Sequence, residues 1–155
     1  MCGFTGYLSN SFNQNIEMNN IVNAMSSELI HRGPDDQGSW LNKDDGIAMG
    51  FCRLAILDLS SAGHQPMTSN SDRFVITFNG EIYNHINLRQ KINHESINEQ
   101  SWQGTSDTET LLAAFELWGV SKTLQKCSGM FSIALWDKEE KILTLARDRF
   151  GEKPL

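Results

Sequence analysis

Cys2 stands directly behind Met1, so removal of the methionine would put a thiol and a free α-amine on one residue. A free α-amine titrates at about 7.7–8.0, so near neutral pH part of it is unprotonated and can act as a general base. Working through one water, it can take the thiol proton without a histidine or aspartate partner. Gly3 leaves room for backbone to bend around a bound molecule. Taken alone, Cys2 reads better as a small buried hydrophobe. Thiolate attack on an amide builds negative charge on oxygen, and Asn79-Gly80 offers two fitting donors, a side-chain amide and a backbone N–H. Asn-Gly is also the commonest tight-turn pair, although the poor apolar alternation after Gly80 counts against a simple hairpin. Arg53 lies inside an apolar stretch, where an unpaired charge is costly. Its guanidinium can grip an α-carboxylate bidentately, while an outward-facing strand residue is the commoner case. Asp107 reads first as a helix cap and second as a ligand for an α-ammonium.

These residues need elements to carry them. Phe4, Gly6, Tyr7 and Leu8 read as a buried strand, and Met18, Ile21, Val22, Met25, Leu29 and Ile30 recur at helical spacing over about 17–30. Residues 31–38 (HRGPDDQG) break the pattern as a loop. Residues 46–59 are apolar and β-rich, and 74–78 form a compact strand running into Asn79. A helix with Ile86, Leu88 and Ile92 follows Tyr83, and residues 94–105 read as a surface loop. Ser106 or Asp107 can cap a helix whose inner face is Leu111, Leu112, Phe115 and Trp118. Residues 129–136 and 142–147 read as a hairpin around the polar turn 137–141. Strands cluster rather than alternate with helices, which favours antiparallel sheets with flanking helices.

The 155 residues suit one domain, and 39% apolar with 21% charged residues is ordinary globular composition. A formal charge of −6 argues against nucleic-acid or anionic-membrane partners. No apolar run reaches the roughly 20 residues of a membrane span, and no secretory signal opens the chain. Cys2, Cys52 and Cys127 are too widely spaced for a disulfide framework or a zinc site, so a reducing cytoplasm is expected.

Cys2-Gly3 is followed in order by His31-Arg32-Gly33-Pro34-Asp35, Arg53-Leu54, Phe78-Asn79-Gly80-Glu81-Ile82-Tyr83-Asn84, Ser106-Asp107-Thr108-Glu109 and Arg147-Asp148-Arg149-Phe150-Gly151. This set resembles the glutamine-hydrolysing asparagine synthetases and, more broadly, the class II glutamine amidotransferase domain. The resemblance implies an α+β fold of the N-terminal-nucleophile hydrolase type, a four-layer α/β/β/α sandwich of two antiparallel sheets. It implies Cys2 as nucleophile with its own amine as base, and Asn79 and Gly80 as oxyanion hole. Arg53 would hold the substrate α-carboxylate and Asp107 its α-ammonium, with Glu81 and backbone atoms of Leu54 and Ile56 assisting. These family roles reverse the plainer local readings of Asn79, Arg53 and Asp107. L-glutamine is the implied substrate, with ammonia passed to a C-terminal synthetase domain that makes asparagine from aspartate. ATP and magnesium would belong to that domain, with no cofactor in residues 1–155. The abrupt, structured-looking end of the chain is read as a truncation. A homodimer is compatible with all of this.

Three other readings stay open. One is a related amidotransferase with a different acceptor, such as a sugar acid. Another is an N-terminal-nucleophile hydrolase for a different amide, which the Arg53 and Asp107 pair disfavours. The third is a non-catalytic domain binding glutamine or a partner, which follows if Met1 is retained. Cys52 is expected near the pocket without a catalytic role, and Cys127 in the core. His31 and Arg32 are assigned to loop shaping, while His64 and His85 are not needed as bases.

Overall fold

A computed structural model describes residues 2–9, 17–97 and 100–155. The expected α+β sandwich is present. Strand β1 (Gly3–Leu8) leads to helix α1 (Met18–Ser27), and strands β2 (Asp36–Asn42) and β3 (Ile47–Arg53) follow. These three strands make one antiparallel sheet in the order β1-β3-β2. The second sheet holds β4 (Met67–Thr68), β5 (Phe74–Ile82), β6 (Gly129–Asp137) and β7 (Ile142–Arg147), antiparallel in sequence order. Helices α2 (His85–Glu95), α3 (Asp107–Trp118) and α4 (Val120–Lys126) fall between β5 and β6.

Strand alternation sorts the core into layers. Ile47 and Met49 of β3 pack with Val75, Ala134 and Trp136 of the second sheet, which fills the space between the sheets. Ala48, on the opposite face of β3, meets Met18 and Val22 of α1. Phe74, Ile76 and Phe78, on the far face of β5, pack with Leu88, Leu111 and Phe115 of α2 and α3. The order is therefore helix, sheet, sheet, helices.

Several sequence expectations need correction. β1 pairs on one side only, so it is a half-exposed edge strand rather than a buried one, with Gly6 exposed and Leu8 47% exposed. α1 stops at Ser27, and the chain tightens into a 3-10 turn at Ile30–Arg32. Strand β2 begins at Asp36, inside the stretch read as loop; its polar composition (DQGSWLN) hid it. The apolar run 46–59 is strand only to Arg53, because Leu54–Leu59 leaves the sheet with Ile56, Leu57 and Leu59 exposed. β5 continues unbroken through Asn79 and Gly80 to Ile82, so that pair is not a hairpin turn. The helix after Tyr83 runs to Glu95, and within the expected loop 94–105 residues 98–99 lie outside the described residues.

Candidate active site

Cys2 precedes β1 and is half-buried. The pairing of Gly3 with Cys52 sets it at the end of β3, beside the point where Leu54 leaves the sheet. The Leu54 N–H donates to the Cys2 Sγ at 3.3 Å, and the Leu54 carbonyl lies 3.5 Å from the same sulfur. The His-Arg-Gly-Pro-Asp block braces this junction from outside. Arg32 Nε donates to the Cys2 carbonyl at 3.1 Å, while the Asp35 carboxylate accepts from the Ala55 N–H at 2.9 Å. The Asp35 N–H in turn donates to the Arg53 carbonyl. Loop shaping, expected for Arg32, thus takes the form of fixing the backbone of Cys2.

The open edge of β5 supplies the second part. Phe131 of β6 turns its N–H and carbonyl towards Asp148, so it makes no ladder bonds to Gly80 opposite it. The backbone N–H groups of Phe78, Gly80 and Ile82 therefore all point the other way. Gln65 Oε1 takes the Phe78 N–H at 2.7 Å, and the Asp107 carboxylate takes the Ile82 N–H at 2.9 Å. Between these two filled positions the Gly80 N–H is directed into the cleft. Only glycine fits at residue 80, because a Cβ there would run into the backbone of Met130 and Phe131. Asn79, buried at 4% exposure, turns to the opposite side of β5, on the face of Val75 between the sheets.

Two irregular segments close the cleft. Arg53 is 8% exposed, and its guanidinium donates to the backbone carbonyls of Ser60, at 2.9 Å, and Asp58. Two of five donors are thereby used for positioning, leaving others for a ligand. A Cβ on Gly63 would collide with this guanidinium. Across the cleft, Ser106 caps α3 by accepting from the Glu109 N–H, which settles the choice of cap. Asp107 is the first helical residue, 5% exposed. Burial pushes its carboxyl above the ordinary value, against the lowering effect of the Ile82 N–H and of His85.

Cys2, Asn79, Gly80, Arg53, Leu54, Ile56, Glu81 and Asp107 all line one cleft of about 120 Å³. Asp58, Gln65 and Thr108 line it too, and the sequence reading passed over them. Gln65 ties β5 to α3 through Phe78 and the Thr108 hydroxyl (3.2 Å), and nothing local in Gly-His-Gln-Pro signals that role. Asp58 had a signal, an acid inside an apolar run. Other candidates fall elsewhere. Cys52 faces α1, its thiol on the Ser26 carbonyl at 3.1 Å, and does not line the cleft. Cys127 belongs to the core, where burial pushes its thiol up to about 11. His64 is exposed and pairs with Asp36 at 2.7 Å.

The glutamine amidotransferase domain family matches residues 1–155, and the chain belongs to that family. Asparagine synthetase [glutamine-hydrolyzing] 1 of Bacillus subtilis is 36% identical over 156 residues, covering 100% of this chain and 24% of its own length. Asparagine synthetase [glutamine-hydrolyzing] 3 of the same organism is 35% identical, covering 99% of this chain and 24% of its length. The chain thus spans about a quarter of these curated relatives. Glutamine phosphoribosylpyrophosphate amidotransferase from B. subtilis shares the fold, with a TM-score of 0.69 at 19% identity. That match covers 95% of this chain and 36% of the solved one. Among the described residues, no helix is long and apolar enough to cross a membrane.

Proposed function

We propose that this domain hydrolyses L-glutamine to glutamate and ammonia, with Cys2 as nucleophile once Met1 has been removed. One observation carries the reading: a single cleft brings a thiol, an amide donor pair, a buried guanidinium and a buried carboxylate together. Arg53 binds the substrate α-carboxylate and Asp107 its α-ammonium. A free amino acid satisfies both, whereas a ligand lacking either end leaves a buried charge unpaired. The Cys2 amine takes the thiol proton, and sulfur attacks the γ-amide carbon. Asn79 Nδ2 and the Gly80 N–H receive the oxyanion. The C–N bond breaks as the amine's proton passes to the leaving nitrogen, and ammonia departs. Water then cleaves the γ-glutamyl thioester, releasing glutamate and the thiol. Glu81 and the backbone of Leu54 and Ile56 shape the entrance.

The names and lengths of the relatives support a wider reading. The domain would feed ammonia to a C-terminal synthetase domain of a longer cytoplasmic protein that makes asparagine, with ATP and magnesium bound there and no cofactor needed here.

The test is glutamate release from L-glutamine by purified chain whose N terminus has been checked by mass spectrometry, beside Cys2→Ala. Release by the Met-free chain, lost at least a thousandfold in the variant, supports the reading. A folded, Met-free chain that releases none sinks autonomous glutaminase activity.

A further inference from the structure

The proposed site needs its two charge-recognising groups held at a fixed separation, yet the Arg53 side chain at the end of β3 and the Asp107 side chain at the start of α3 are aimed from outside the strand ladders. Arg53 depends on the turn 54–63 for the carbonyls that aim it, and Asp107 follows the irregular segment 104–106. One side chain joins them. The Asp58 carboxylate accepts from its own turn through the Ser60 N–H at 2.9 Å and hydroxyl at 2.6 Å. Its other oxygen accepts from the opposite segment through the Thr105 N–H at 2.8 Å and hydroxyl at 3.3 Å. Gly104 permits this approach, since a Cβ there would run into the Asp58 carboxylate and Ala62. Asp58 is 8% exposed and lines the cleft.

We infer that Asp58 is a positioning residue for α-amino-acid recognition, a latch that fixes Arg53 relative to Asp107 and so sets the affinity for glutamine. This rests on the glutaminase reading of the cleft. The carbonyl of Asp58 holds Arg53 while its carboxylate holds the backbone two residues before Asp107, so a single residue spans both ends of the substrate-recognition distance. Arg89 secures the second segment from behind, donating to the carbonyls of Gly104 (2.8 Å) and Ser106 (3.1 Å). The latch therefore closes onto a fixed post. Four hydrogen bonds on the carboxylate bring its pKa down to about 2, so it stays ionised across the working range.

Asp58→Asn replaces an acceptor facing Thr105 with an amide that can satisfy only one of the two segments. The KM for glutamine is expected to rise at least tenfold with kcat within threefold. Alkylation of Cys2 by iodoacetamide should stay within twofold, which separates a lost latch from a damaged nucleophile. Ser60→Ala removes two bonds inside the turn, the hydroxyl's to Asp58 and the one it accepts from the Ala62 N–H, but leaves the bridge to Thr105, and its KM should move less than threefold. Amide hydrogen exchange at Thr105 should speed up at least tenfold in Asp58→Asn and stay near wild type in Ser60→Ala. An unchanged KM in folded Asp58→Asn overturns the inference, as does an equal KM rise in both variants. If the wild-type chain releases no glutamate, the glutaminase reading fails by itself. The exchange arm then decides the latch: accelerated Thr105 exchange upholds the bridge, and unchanged exchange overturns it.

Discussion

The two walls of the cleft are built by different means. The wall carrying Cys2, Asn79 and Gly80 is made of β5 and the start of β1, whose positions follow from continuous ladder register: Gly3 opposite Cys52, and Gly80 opposite Phe131. The wall carrying Arg53 and Asp107 is made of the end of β3, the turn that follows it and a helix start, and its side chains are held by bonds to backbone outside the ladders. A ladder spreads its support over many weak bonds, whereas the second wall hangs on a few. Substitutions on the first wall should alter chemistry and leave binding intact. Those on the second should alter binding and leave the reactivity of the thiol intact.

The sharpest break in that contrast is expected at Asn79. Asn79→Ala removes one of the two proposed oxyanion donors, so kcat should fall about 100- to 1000-fold, the usual effect of losing such a donor. KM should shift less than threefold, measured by steady-state glutamate release. Arg53→Ala should do the reverse. Losing the buried partner of a carboxylate costs about 2–3 kcal/mol, or roughly 30- to 150-fold in KM. The iodoacetamide rate of Cys2 should not change. A variant of Arg53 that slowed alkylation as much as it weakened binding would show that the walls are coupled.

The same division governs what could be read in the sequence. Elements such as β5, α3 and the β6–β7 hairpin were legible because strand alternation and helical spacing record which face is buried, while the layer order came only with the family resemblance. β2 was not, because an edge strand in water carries no apolar signature. The run 46–59 misled in the opposite sense: Ile56, Leu57 and Leu59 look like core but are exposed, the first two lining the cleft. Of the site, local sequence marked Cys2, Asn79-Gly80 and Arg53 as unusual, and only the ordered motif blocks lifted them above plainer readings. Asp58 showed only as an acid inside an apolar run, and nothing local gave the partners of Gln65 or Thr108. Their work is to connect segments 47 and 43 residues apart, and a contact between distant residues leaves no periodicity.

A smaller effect tests how closely the second wall is packed. The Cβ of Gly63→Ala would meet the Arg53 guanidinium, the movable end of a long side chain, so Arg53 should retreat rather than the fold give way. KM should rise about tenfold with Tm little changed, as measured by kinetics and calorimetry. A large loss of stability instead would mean the turn 54–63 is as rigid as the strands.

The gentlest test uses acid, because Asp58 and Asp107 line the same cleft and are displaced in opposite directions. Asp58 sits at about 2, below its unfolded value near 3.9, so its contribution to stability is full above that value and lost as pH falls towards 2. Asp107 is raised by burial, so ionising it costs the folded state something: its share of stability is full below the unfolded value and declines as pH rises through its folded pKa. Asp107→Asn keeps an oxygen for the Ile82 N–H but removes the charge. At pH 8 it should therefore raise Tm by about 2 °C while weakening glutamine binding, and at pH 3, where the wild-type carboxyl is already neutral, leave both nearly unchanged. Wild-type affinity for glutamine, measured by calorimetry in a Cys2→Ala background, should fall as pH drops through the raised Asp107 pKa. A proton must then leave before the α-ammonium can bind. The slope should be at most tenfold per pH unit, and absent in Asp107→Asn. If the Asn variant were instead less stable at pH 8, the charge would already be balanced in the empty cleft, and Asp107 would serve the fold as the wall of Cys2 and Gly80 does.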